Sequence, residues 1–294
     1  MHTPAGLPEA APDRHRTAVR DPLDVRRINF YGKEDRNVTP YDQTVVDNVI
    51  HELVAELEET SEYRQRREHI REFNASSPVL KKGLALTPVK FGISFNVPAF
   101  NQAGALVHVY RDGTVLVNHG GTEMGQGLNT KVAQVVAHEL GLNLEHIRVT
   151  ATDTTKVANT SATAASTGTD LNGKAAQDAA YQIRQRLTTV AAQLFSVEES
   201  SVKFERGQVE IGDQTMPFFQ LVEHAYQARV QLWSDGFYAT PGLHWDSKVM
   251  KGNPFYYFSY GAAVAEVLID TLTGESRLLR ADVLHDVGKS INPA

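Results

Sequence analysis

The sequence predicts an α+β fold, mixed sheets with packed helices, and three observations carry that reading. Val45, Val49, Leu53 and Leu57 recur at four-residue steps, with Val46, Ile50 and Val54 between them, which is the period of one helix face. Two short β-prone runs flank Arg111-Asp112-Gly113, and an Asp-Gly between apolar runs signals a hairpin. An alanine-rich helical stretch, 171–195, then leads toward a strand-rich end, 231–291, with no repeat at 20–50-residue spacing.

Residues 1–20 hold three prolines and no apolar period, so they read as an ill-fitting or disordered tail. A helical lead is expected over 41–75, its first helix starting at Tyr41 and its second running from Ser61 to Phe73. The charges of that second helix, Arg66 among them, read as a solvated face with i,i+4 pairs. After Pro78 the α+β body, 83–294, begins with strands over 83–95, 105–110 and 114–118. A glycine-rich loop, 120–130, precedes a helix whose apolar face is Val132, Val135, Val136 and Leu140, closed by Gly141. A strand at 147–151 and a Thr/Ser/Ala loop follow. Beyond the alanine-rich helix come a hairpin around Gly207, a short helix over 216–228, and strands with turns expected at Asp235-Gly236, Gly252-Asn253 and Thr273-Gly274. Apolar residues such as Leu278, Val283 and Ile291 crowd these last strands.

Composition narrows the chemistry. The chain has 294 residues, 41 % hydrophobic and 22 % charged, as in a globular protein, and no run long enough to span a membrane. Its formal charge of −6 and the lack of a dense basic patch argue against nucleic acid as a partner. The absence of cysteine excludes disulfides, thiolate metal sites, iron–sulfur ligation by this chain and a thiol nucleophile. The first residues lack the apolar segment of a secretory signal, and the protein reads as cytoplasmic.

Two loops stand out. The segment GGTEMGQGLNT, 120–130, places four glycines between a strand and a helix start, where backbone N–H groups can face an anion. It lacks the Lys of a P-loop and the third glycine of a dinucleotide fingerprint, so it is either a structural glycine turn or a ligand loop with the neutral amide of Gln126 at its apex. The segment NTSATAASTGTDLNG, 159–173, is either a helix N-cap or a stretch of bare backbone that approaches something bulky. His138-Glu139 begins an HExxH pattern, but Leu142 stands where the second ligand would be, so no metal-ligating set is read.

Together GGTEMGQGL, NTSATAAS, KFGISF, NQAGALVHVY and VLHDVGKSINPA resemble the molybdenum cofactor-binding portion of xanthine dehydrogenases, in the xanthine oxidase family of molybdenum hydroxylases, from about Asp21 to Ala294. The resemblance implies that 21–294 is part of a larger molybdopterin-binding domain. It implies a molybdenum–molybdopterin cofactor held by Gly125, Gln126, Gly127, Thr163, Ala164, Ala165 and Ser166, with no side chain ligating the metal. It implies that Phe95 stacks on a purine and that Asn96, often Thr in relatives, lies beside it with a longer hydrogen-bonding reach. Hypoxanthine and xanthine would be the substrates, with FAD and [2Fe-2S] clusters on a partner domain or subunit.

The family's arginine-bearing motif and its glutamate general base are absent from this sequence. The chain is therefore expected to be a fragment that needs flanking segments, with no catalytic residue of its own and no activity in isolation. An aldehyde oxidase-type hydroxylase and a non-catalytic scaffold are the alternatives.

Overall fold

The computed structural model describes residues 20–156 and 160–292. The expected tail, 1–20, lies outside them except for Arg20, and so does Asn159. Asp21 opens the first helix, α1 (Pro22–Ile28), its carboxylate accepting from Leu23 N at 2.8 Å with Pro22 in the first turn. The next helix, α2 (Ile50–Thr60), starts at Ile50 and not at Tyr41. Its apolar period reaches back to Val45, but Asp42 and Asp47 adopt positive φ and Val38 bridges Thr44, so 41–49 forms a turn. Asn48 Oδ1 then accepts from Ile50 N and fixes the start.

The third helix is α3 (Tyr63–Ser76), followed by β1 (Leu80–Ile93), β2 (Gln102–Val109), β3 (Val115–His119) and α4 (Leu128–Leu140). Strand β4 (Ile147–Val149) precedes the long α5 (Gly168–Phe195), then a meander of β5 (Val202–Glu205), β6 (Gln208–Ile211) and β7 (Gln214–Pro217) leads into α6 (Phe218–Gln227). The chain continues through β8 (Trp233–Ala239), β9 (His244–Asp246), β10 (Lys251–Asn253), β11 (Tyr257–Asp270) and β12 (Ser276–Asp286). The α+β class is as the sequence predicts.

The chain divides into two compact units. One gathers the described residues up to Asn37 with Asp47–Lys90 and Tyr260–Asp286. In it Arg66, expected on a solvated face, is buried: its guanidinium meets Glu266 at 2.8 Å and Asp282 at 2.9 Å, holding α3 against the β11–β12 hairpin. Strand β12 is an edge of the β1-β11-β12 sheet, and Leu278, Leu279 and Val283 are exposed on it.

The other unit comprises Val38–Val46, Phe91–Ser259 and the described residues from Val287 onward. Its four-stranded sheet has the order β4-β3-β2-β8. β2 pairs antiparallel with β3 through the expected Asp-Gly hairpin, and β4 runs parallel to β3. Alternate residues Ala103, Ala105, Val107 and Val109 point into a core completed by α4 and α5. Two expected turns are strand instead. Asp235-Gly236 lies inside β8, and Gly252-Asn253 lies in β10. Gly236 has no Cβ because α5 crosses it, where a Cβ would overlap the Ala175 carbonyl and stand 2.5 Å from Ala179 N. Thr273-Gly274 is the turn between β11 and β12, as expected.

Candidate functional site

The glycine-rich loop leaves β3 at His119 and enters α4 at Leu128, and its four glycines do two different jobs. Gly120 and Gly121 are close approaches: a Cβ would press on the Thr160 side chain at the first and on Leu128 and Asn172 at the second. Gly125 and Gly127 have positive φ of 101° and 73°, and a Cβ at either would meet open space. At these two positions the loop presents bare backbone to solvent.

The helix-start amides read from the sequence as facing an anion are already taken. Glu123 accepts from Gly125 N and Gly127 N at 2.9 Å and from Asn129 N at 3.0 Å. These N–H groups, that of Asn129 first, hold its carboxyl below the ordinary range. Gln126 also turns inward. Its Oε1 accepts from Met124 N at 2.5 Å and its Nε2 donates to Thr122 O at 2.8 Å, so the apex amide braces the loop.

The second loop folds back before α5. Thr167 stands at the N-cap position without capping the helix; its hydroxyl donates to Ala164 O at 3.0 Å. Ala165 and Ser166 adopt left-handed φ of 53° and 58°, an unfavourable pair for residues with a Cβ. The two loops are tied where Thr122 N donates to Thr163 Oγ1 at 2.8 Å. Between them lies a cleft of about 510 Å³ lined by Met124, Gln126, Lys131, Thr163, Ala164, Ala165 and Ser166 together with the first turns of α4 and α5. Larger hollows of about 790 and 780 Å³ elsewhere bring together neither loop.

Like Gly125 and Gly127, Phe95 and Asn96 are not among the residues lining this cleft. They sit on the turn after β1, where Phe95 meets Phe100 edge-on with centroids 5.7 Å apart. Sequence reasoning missed the residue that shapes this turn. Asn101, 1 % exposed, accepts from Phe95 N at 2.8 Å and donates to Phe95 O at 2.9 Å. It missed Glu123 as well, although a carboxylate just ahead of a helix start was a legible signal. Glu139, from the incomplete HExxH, pairs with Arg184 at 3.0 Å and accepts from Gln177.

His119 anchors the inner end of the loop. It is 1 % exposed, and its Nδ1 accepts from Gly121 N at 3.1 Å, which requires the neutral ring. Burial pushes the imidazole below its ordinary value, opposed in part by Asn129 and the Glu123 charge. Between that depressed value and the unfolded value of about 6.5 the unfolded chain binds more protons, so stability rises with pH in this window and falls on acidification. A slope of up to about 1.4 kcal/mol per pH unit is expected below pH 6.5. Thermal melts across that range should show the slope flattening in His119→Gln; an unchanged slope would assign it to other groups.

This fold and loop pair define a class of protein, the molybdopterin cofactor-binding domain. The model of that family matches residues 56–294, and the chain belongs to it. It is 43 % identical to a xanthine dehydrogenase of Dictyostelium discoideum over 281 residues, 95 % of this chain and 19 % of the relative. A xanthine dehydrogenase of Oryza sativa is 43 % identical over 94 % of this chain and 19 % of its own length, and a xanthine dehydrogenase/oxidase of Gallus gallus 42 % over 93 % and 19 %. The chain thus spans about a fifth of these relatives.

Among solved structures, the CO dehydrogenase of Oligotropha carboxidovorans aligns with a TM-score of 0.75 at 20 % identity, over 93 % of this chain and 35 % of that one. Quinoline 2-oxidoreductase of Pseudomonas putida aligns at 0.73 and 23 %, over 92 % and 35 %. At these identities the likeness is one of fold. Among the described residues no group of His, Cys, Asp or Glu could hold a metal ion, and no helix is long and apolar enough to cross a membrane.

Proposed function

We propose that this chain forms one wall of the molybdenum–molybdopterin site of a cytoplasmic hydroxylase that oxidises hypoxanthine and xanthine. The observation that carries the reading is the tie between the two motif loops, Thr122 N to Thr163 Oγ1, with a shared cleft beside it. The residues fit the group. A large planar pterin needs backbone that lets it approach closely, and Gly125, Gly127, Ala164 and Ala165 carry little or no side chain to obstruct it. No metal ligand from the protein is needed, since the dithiolene of the pterin holds the molybdenum.

In this reading Ala164, Ala165 and Ser166 hold the cofactor from one side and the Gly125–Gln126–Gly127 backbone from the other. The Gln126 amide reaches it by leaving its partners within the loop. When bound, the cofactor supplies oxygen transfer and a two-electron sink. Phe95 contributes an apolar face for a purine and Asn96 a donor and an acceptor, on a turn that Asn101 keeps in place. FAD and [2Fe-2S] clusters on partner domains carry the electrons away.

The test is production of this chain within an enzyme of relative-like length, in cells that make molybdopterin, with molybdenum and pterin measured per mole of purified protein. Near-stoichiometric loading is expected, and absence of both would sink the reading. Gln126→Ala should lower retained cofactor several-fold while the cofactor-free melting temperature changes by only a few degrees. In the enzyme of relative-like length, turnover of xanthine over aldehydes separates purine hydroxylation from aldehyde oxidation.

A further inference from the structure

We infer that Glu123 is a positioning residue for the cofactor: its carboxylate fills the amide nest ahead of α4 and thereby sets the Gly125–Gly127 backbone in its receiving shape. The inference rests on the cofactor reading above and adds a residue to it. Three N–H groups at positions 125, 127 and 129 converge on one side chain, Oε1 taking the two glycines and Oε2 taking Asn129. Positive φ at both glycines turns those amides inward. Glu123 is therefore an internal anion at the positive end of α4, and the loop meets a ligand through its bare outer face.

Two further features support a role in shaping the loop. The bonds are local and lie at the exposed surface, so water can replace them without disturbing the core built by β2, α4 and α5. The neighbouring brace, Gln126, spans only Thr122 to Met124. Lys131 Nζ also reaches the apex from α4, donating to Gln126 O at 3.0 Å, whereas Glu123 takes the amides of the two glycines themselves. Freeing them leaves a glycine-rich loop with many conformers, of which few present the receiving face, and that ordering loss falls on binding.

The test compares wild type, Glu123→Gln and Glu123→Ala, each carried in an enzyme of relative-like length produced in cells that make molybdopterin. Gln keeps one acceptor oxygen and turns an NH2 group toward the remaining donor, so a graded loss is expected. Retained pterin and molybdenum should fall about tenfold or more in Glu123→Ala and by an intermediate factor in Glu123→Gln, with cofactor-free melting temperatures within a few degrees. Hydrogen exchange on the cofactor-free chain is the independent readout. The amides of Gly125, Gly127 and Asn129 should be protected in wild type and exchange at least about tenfold faster in Glu123→Ala, with α5 unchanged.

Equal loading of all three chains overturns the inference while leaving the cofactor reading intact. Loss of cofactor in step with a large fall in melting temperature also overturns it, because Glu123 would then be structural. If wild type loads no cofactor, the underlying reading fails and this inference falls with it.

Discussion

Gly236→Ala will be among the most destabilising single-methyl additions in this chain, costing about 3 kcal/mol or more. The residue lies in β8 opposite Ala105 of β2, and α5 crosses directly above it. The helix presents Ala175, Ala176, Ala179 and Ala180 there, all fully buried, which is how its backbone comes so close to the sheet. A new Cβ would overlap the Ala175 carbonyl and crowd Ala179 N, and neither is the end of a flexible side chain that could swing away. The helix must shift as a body, which unpacks the core on both sides of the contact. Against a typical margin of about 5–15 kcal/mol this is a large fraction. Gly207→Ala is the control, since its φ of 77° carries strain of only about 1 kcal/mol and open space surrounds it. Denaturant melts should separate the two variants by several-fold in lost stability, and equal losses would show that α5 yields easily.

Gly125→Val is expected to reduce cofactor retention about 5- to 150-fold in a chain that still folds. At φ 101° no branched side chain is comfortable, so the loop will abandon this conformation. Re-forming it around the cofactor then costs about 1–3 kcal/mol, which is the source of the expected factor. The fold survives because a Cβ at this position touches nothing. Pterin content per chain and a thermal melt, read together, test it. Normal loading would show that the loop binds in some other shape, whereas a collapsed melt would place Gly125 in the core of the fold.

Arg66 shows why a helix pattern alone misjudges a charge. On α3 it sits among exposed residues such as Arg71 and Glu68, which do form an i,i+3 pair in solvent. Its own partners, Glu266 and Asp282, lie 200 and 216 residues away, a separation that no local periodicity encodes. Asp235-Gly236 misleads for a related reason. The dipeptide is a turn signal by composition, but this glycine is required by a helix passing overhead rather than by a bend in its own backbone.

Short-range patterns were thus enough for the hairpin at Asp112-Gly113, the αL glycine that ends α4, the alanine-rich face of α5 and the two loops that mark the family. Each is written in residues a few positions apart, whose dihedral preferences and periodicity act before any tertiary contact forms. The tertiary structure alone decided that Thr122 would meet Thr163 across 41 residues and that a cleft would open between their loops. Such choices depend on which surfaces the packed core leaves facing one another. They arise from closing long loops, and a one-dimensional pattern does not contain them.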